Sequence, residues 1–280
     1  MSTSALLLVL CAAFLHAGWN ALTKRGTDPL AFLFCAGALG AILYLPGVLY
    51  LLWTRGLPLR ALPFVIGTVL LHAVYFFSLG RAYRLGDLSV VYPVARGTGV
   101  ALVPIVGLIV LDEWLSTLGA VGVALVVAGI FALPHRTGGA WLAPGTAWAI
   151  VTGLSIAGYS LVDKVGVTRL HPLAYIGLME VGACLMLMPA MLARRSAVAR
   201  EWRANRLSIV AVAVMSPGAY LLVLFAFQLG KAAYVVATRE ISIVFSTLIG
   251  SLVLGERGLG RRLVGALIVA AGVACVALAR

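Results

Sequence analysis

Two arginines and a glutamate stand where ionised side chains are costly. The apolar stretch Ala233–Glu256 has the length of a membrane-spanning helix, yet it carries Arg239 and Glu240 side by side. Arg239 lies roughly 9 Å into that stretch at 1.5 Å of helical rise per residue. A charge at the centre of a spanning helix costs on the order of 2.5–3.5 kcal/mol even on the lenient insertion scale. Such a group calls for a partner charge, a water-filled cavity, or both. A second stretch, Val90–Glu113, repeats the design: Arg96 precedes Glu113 by 17 residues, as Arg239 precedes Glu256. A guanidinium is a planar fork suited to bidentate binding of carboxylate or phosphonate. Arg96 and Arg239 are therefore candidates for holding an acidic group, with Glu240 pairing with them or binding an amino group. A structural Arg–Glu clamp between the two helices is the competing reading.

Other polar side chains share helical faces. His16, Asn20 and Thr23 follow i, i+4, i+7 spacing, and Trp148, Thr152, Ser155 and Tyr159 form a similar stripe. They read as two walls of a polar cavity, or as interhelical hydrogen bonds that touch no substrate, worth about 0.6 kcal/mol each. The candidate substrate-binding set is Arg96, Arg239, Glu240, His16, Asn20, Trp19, Tyr159, His72, Tyr92 and Ser155. Tyr75, Tyr220 and Gln228 are lesser candidates. Glu180 breaks the symmetry, as a coupling-ion or specificity residue would, and a structural partner for an arginine fits equally. Lys24 and Lys164 read as snorkelling anchors. Glu113 and Glu256 end their helices and read as ligands to loops.

These positions need long helices around them. The chain is 62% hydrophobic and 11% charged, against about 25% charged in soluble domains. Ten apolar helices can be drawn: Ala5–Thr23, Pro29–Trp53, Leu62–Tyr83, Leu88–Leu111, Leu115–Leu133, Pro144–Val165, Pro172–Leu192, Leu207–Leu229, Ala233–Leu254 and Arg262–Ala279. Most have the roughly twenty residues that a bilayer core requires. The longest connection, Ala193–Arg206, holds five arginines. The N-terminal stretch lacks the positive region of a signal peptide and reads as the first span. The net charge of +12 sits mostly near helix ends, as membrane anchoring requires, and does not read as a nucleic-acid footprint. Cys11, Cys35, Cys184 and Cys275 fall inside apolar segments without CxxC or Cys/His spacing. They read as packing residues. No metal or cofactor is expected.

The chain also matches itself. Ala17–Lys24, AGWNALTK, aligns with Ala157–Lys164, AGYSLVDK, and Pro29–Phe32 aligns with Pro172–Tyr175. Leu85-Gly86 aligns with Leu229-Gly230, and the Gly122/Gly129 pair with Gly265/Gly272. The order is kept at offsets of 140–144 residues. Two five-helix units follow, residues 1–138 and 139–280. Because five is odd, the second unit enters the membrane from the opposite side. The fold class is thus an all-α integral membrane protein whose ten transmembrane helices form two inverted repeats. Secondary transporters use that plan, with a site near the midplane. The glycine pairs suit close packing of helices five and ten, or a dimer contact.

The two units, with AGWNALTK and AGYSLVDK and with helices closing in LDE and LGE, resemble EamA-type transporters of the drug/metabolite transporter superfamily. The resemblance covers nearly the whole chain. It implies a central cavity lined mainly by helices one, three, four, six, eight and nine, with five and ten at the periphery. It also implies movement of small organic solutes. Arg96, Arg239 and Glu240 depart from the commonest pattern of the family.

The expected function is secondary transport of a small zwitterionic or anionic metabolite across an inner membrane by alternating access. The expected partners are that substrate, the bilayer and a coupling proton, in a monomer or homodimer, with no nucleic acid. An integral-membrane enzyme acting on a lipid-linked substrate is a rival reading, but no loop holds a recognisable catalytic set. A channel or structural subunit is another. Orientation draws two opposed expectations. With the N-terminus inside, the inner face receives only Arg55, Arg60, Lys164, Arg169, Lys231 and Arg280, and the outer face receives thirteen basic residues. Positive charge favours the cytoplasm, so the count places the N-terminus outside. The family resemblance places both termini in the cytoplasm.

Overall fold

The computed structural model describes residues 1–23, 26–86, 88–133, 144–252 and 259–279. These form α1 (Thr3–Thr23), α2 (Pro29–Arg55), α3 (Leu62–Leu85), α4 (Leu88–Leu111), α5 (Thr117–Phe131) and α6 (Pro144–Gly166). They continue through α7 (Pro172–Leu192), α8 (Arg195–Leu229), α9 (Ala232–Arg239), α10 (Ser242–Leu252) and α11 (Leu259–Leu278). A single 3-10 turn, Leu59–Ala61, leads into α3.

Local chemistry sets several boundaries. Asp28 caps α2 by accepting from the Ala31 amide at 3.1 Å, with Pro29 at the first helical position. Gly56, at φ 72°, ends that helix in a conformation that side chains disfavour. Ser116 caps α5 through the Gly119 amide. His171 caps α7 by accepting from the Leu173 amide on Nδ1. Burial, then the Arg55 charge, holds the His171 imidazole below its usual pKa, which suits a neutral acceptor.

Seven of the described helices are long and apolar enough to cross a membrane. Thr117–Phe131 and Leu263–Leu278 are shorter apolar helices. Large apolar side chains face outward: Ile109 is 77% exposed and Ile42 64%. In water such a surface would be a liability, and in lipid it is the expected one.

Two elements differ from the sequence expectation. The ninth span is broken: α9 ends at Arg239 and α10 starts at Ser242. Across the break the amides of Glu240, Ile241, Ile243 and Val244 each bond three residues back, to Ala237, Thr238, Glu240 and Ile241. The helix tightens into 3-10 geometry there. The arginine-rich connection is also mostly helical. Residues from Arg195 form a surface helix that joins α8 through a kink at Asn205 (φ −128°, ψ 22°), so the spanning part of α8 begins near Leu207.

The helices pack in matched pairs. α1 lies on α8 and α3 on α6; α4 lies on α6, and the α9–α10 pair lies on α1; α2 meets α7, and α5 meets α11. Exchanging the first five spans for the last five reproduces this set of contacts. The α5–α11 contact brings two backbones close together. A Cβ on Gly122 would stand 2.8 Å from the Gly272 carbonyl oxygen, and one on Gly129 2.9 Å from that of Gly265. The four glycines expected to make a packing surface therefore seal helices five and ten to each other within one chain. The Met1 ammonium donates to the Ala279 carbonyl, so the described chain ends meet at one end of the bundle, as an even number of crossings requires.

Candidate substrate cavity

A cavity of about 120 Å³ lies among the helices, with His16 and Trp19 of α1, Arg96 of α4 and Arg239 of α9 in its wall. α3 adds His72, Tyr75 and Phe76, α6 adds Tyr159, and α8 adds Tyr220. α2 and α7 also contribute, through Gly37 and Glu180 among others, which extends the lining beyond the six helices expected. Among the described residues, none of α5 or α11 lines it.

The two arginines are held differently. Arg96 is 6% exposed and forks onto Glu240, which is fully buried: Nε donates to Oε2 at 3.1 Å and a terminal nitrogen donates to Oε1. This bidentate pair joins α4 to the break between α9 and α10. Glu240 is not in the cavity wall, so it does not present a free carboxylate there. Arg239, 5% exposed, makes no salt bridge among the described residues. A terminal nitrogen reaches the Tyr159 hydroxyl at 3.5 Å, at the edge of hydrogen bonding, and the guanidinium lies 6.0 Å from the centre of the Tyr220 ring. Its Nε is buried without an acceptor among the described residues. Thr238 and Ser242 also bury hydroxyl oxygens that have no partner among the described residues, on either side of the break.

An aromatic and imidazole cluster supports this wall. His72 stacks on Tyr159 with ring centres 4.2 Å apart, and Tyr220 meets Tyr159 edge-on at 6.1 Å. His72 Nδ1 lies 2.9 Å from the Thr68 carbonyl oxygen. A carbonyl only accepts, so Nδ1 carries the proton in that contact. His16 meets Trp19 edge-on at 4.8 Å.

Six of the ten predicted site residues thus come together at the cavity: Arg96, Arg239, His16, Trp19, Tyr159 and His72. The other four sit apart from its wall. Glu240 is behind Arg96. Asn20 donates back to the His16 carbonyl at 2.7 Å. Ser155 donates to the Val151 carbonyl at 2.9 Å. Tyr92 packs against the hydrophobic core. Thr152 bonds Ser78 of α3 at 2.9 Å, so for this part of the α6 stripe the interhelical reading applies.

Sequence reasoning passed over Asp163, within the AGYSLVDK motif. Its carboxylate is fully buried and accepts from the hydroxyls of Tyr175, at 2.8 Å, and Tyr220. It fixes Tyr220 from behind the cavity. A buried acid inside a motif that aligns with Thr23 in the other half was the available signal.

At one end of the bundle, Lys164 donates to the carbonyls of Phe227 and Gly230 and lies 3.6 Å from Glu113. It is a bridge to the end of α8 and not a snorkelling anchor. Glu113 accepts from the Ala232 amide at 2.7 Å and caps α9. The corresponding Lys24 and Glu256 lie outside the described residues.

A lipid-facing helical bundle around a buried charged cavity defines a multi-pass membrane transporter. The chain belongs to the EamA-like transporter family, whose model matches residues 143–278. It is similar to the nicotine metabolites export pump subunit NepA of Paenarthrobacter nicotinovorans, with 30% identity over 110 residues. That match spans 39% of this chain and 88% of NepA. One solved crystal structure shares the fold at a TM-score of 0.79 and 17% identity, with 99% of each chain covered.

Proposed function

We propose that this protein is a secondary transporter of a small anionic or zwitterionic metabolite, acting by alternating access in an inner membrane and catalysing no chemical conversion. The observation that carries this reading is Arg239, a buried guanidinium in the cavity wall that makes no salt bridge among the described residues. A buried charge without a direct ion pair is costly, and an acidic substrate group would relieve that cost in the loaded state. The paired Arg96 neutralises Glu240 and adds no free negative charge to the wall. The relative NepA is named as a subunit of a nicotine metabolites export pump, which supports a solute-moving role. Residues 1–138 and 139–280 are the two units that would rock about the cavity, with the broken ninth span at their meeting point.

Flux into proteoliposomes tests the proposal. A panel of labelled amino acids, organic acids and phosphonates is expected to contain a compound that accumulates in protein-containing vesicles and not in empty ones. Arg239→Lys keeps the charge and loses the fork, so its transport affinity for that compound should fall at least tenfold while insertion stays normal. Unchanged affinity in that variant removes Arg239 from the substrate site. Conversion of a compound without its movement would establish an enzyme instead.

A further inference from the structure

The hydrogen bonds around Asp163 of α6, which is fully buried, leave its charge open. The Tyr175 hydroxyl lies 2.8 Å from Asp163 Oδ1 and 3.0 Å from the Phe64 carbonyl oxygen. It has one proton and can donate along only one of the two. If Tyr175 donates to Oδ1, Asp163 is satisfied as a carboxylate, with Tyr220 donating to Oδ2. If Tyr175 donates to Phe64, its oxygen accepts from Oδ1, and Asp163 is satisfied as the neutral acid. The heavy atoms keep their places in both arrangements. An acid sealed within a membrane bundle and satisfied with or without its proton is suited to holding and releasing one.

The groups that face this carboxyl are His72 and Thr68 of α3, Tyr175 of α7 and Tyr220 of α8. On α4, Arg96 is taken up by Glu240, and Lys164, next along α6, turns to the end of α8 and to Glu113. Tyr220 and His72 line the cavity, so Asp163 stands one side chain behind its wall. Arg239 of α9 lies 6.0 Å from the centre of the Tyr220 ring, the same tyrosine whose hydroxyl binds Asp163. Glu180 is the other acid of the wall outside the Arg96–Glu240 pair. No hydroxyl bonds it among the described residues, so it lacks the alternative arrangement that Asp163 has.

Resting on the transporter reading above, we infer that Asp163 is the site of a coupling proton that enters with an acidic substrate. With Asp163 ionised, Tyr220 commits its single proton to a charge-assisted bond. On loading, a hydronium ion from cavity water gives its proton to Oδ1 and leaves as water. A new O–H bond forms on Oδ1, Tyr175 turns its own proton to Phe64, and no other covalent bond changes. The bond from Tyr220 to Oδ2 then loses its charge assistance and about half its strength. Its proton is released to the acidic group held at Arg239. Proton and substrate each raise the other's affinity by the same factor.

The test uses full-length protein in proteoliposomes with the membrane potential clamped and a proton gradient imposed. The probes are labelled alanine, succinate and ethylphosphonate, against empty vesicles. At least one is expected to accumulate about tenfold per unit of pH gradient, as one proton per substrate requires. In Asp163→Asn that accumulation should vanish while exchange of the same compound without a gradient persists, which also shows that the variant is folded. Glu180→Gln should still accumulate it. Accumulation that survives Asp163→Asn, is lost equally in Glu180→Gln, or disappears together with exchange overturns the proton assignment and leaves the transporter reading standing. Flux that ignores the gradient does the same. If no compound in the flux panel moves, the transporter reading fails, and infrared spectra decide the proton site by themselves. A protonated-carboxyl band that grows on acidification and is missing from Asp163→Asn supports it, and the lack of that difference overturns it.

Discussion

Arg96 and Arg239 occupy equivalent places 143 residues apart, yet one is satisfied by a carboxylate and the other is not. The difference divides their roles. Removing one partner of a buried pair leaves an uncompensated charge, at about 3–5 kcal/mol. Arg96→Ala and Glu240→Gln should each lower resistance to unfolding by that order, and the double variant should lose less than their sum. A stable Glu240→Gln protein in a denaturant titration would refute this clamp. Glu201 offers a pH-dependent case outside the membrane spans. Burial alone would raise its carboxyl pKa, but the Thr27 hydroxyl, the amides of Asp28 and Thr27, and the Asn205 side chain all donate to it and hold it below the usual range. A depressed carboxyl pKa stabilises above the unfolded value, about 4.3, and that stability is lost as pH falls through the folded pKa. Wild type should therefore exceed Glu201→Gln in melting temperature at pH 7, with the gap closing below about pH 4. A gap that widens on acidification would show that the sign is wrong.

The helices were legible in the sequence because apolar length is a strong signal, and most boundaries fall within a few residues of those drawn. The break in the ninth span was not. No proline or glycine lies between Ala233 and Thr247, so nothing local announces it. The tightened turn instead sits where Glu240 is drawn to Arg96 on α4, a contact that only tertiary structure supplies. The site was half legible for a related reason. Helical spacing assigns residues to a face, but Asn20, Thr152 and Ser155 turn their polar atoms to nearby backbone or a neighbouring helix. Glycine contacts give an element-scale test. Gly122→Ala and Gly272→Ala overpack the α5–α11 seam and should cost about 1–3 kcal/mol. Gly80→Ala, with nothing within 4 Å of the added Cβ, should be neutral or stabilise by up to about 1 kcal/mol. Equal unfolding midpoints for Gly122→Ala and Gly80→Ala would dismiss the seam as a tight contact.

The whole molecule has two chemically distinct ends. At one, Glu113, Lys164 and the start of α9 are joined, and Arg169 reaches the Arg60 carbonyl. At the other, the segment between α1 and α2 meets the arginine-bearing start of α8 through Glu201 and the Arg194–Asp28 pair. Positive charge concentrates at this second end, so the charge rule makes it cytoplasmic. A cysteine placed at Ser196, exposed in the surface helix, should then resist an impermeant thiol reagent in intact cells, on a background with the native cysteines replaced. Labelling from outside would reverse the orientation and favour termini in the cytoplasm. The glycine seam between α5 and α11 carries a different consequence. If the contacts that unite residues 1–138 with 139–280 lie between packed faces, the peptide link joining them is dispensable. The two pieces, made as separate polypeptides in one cell, would find each other in the bilayer and rebuild the transporter as a heterodimer.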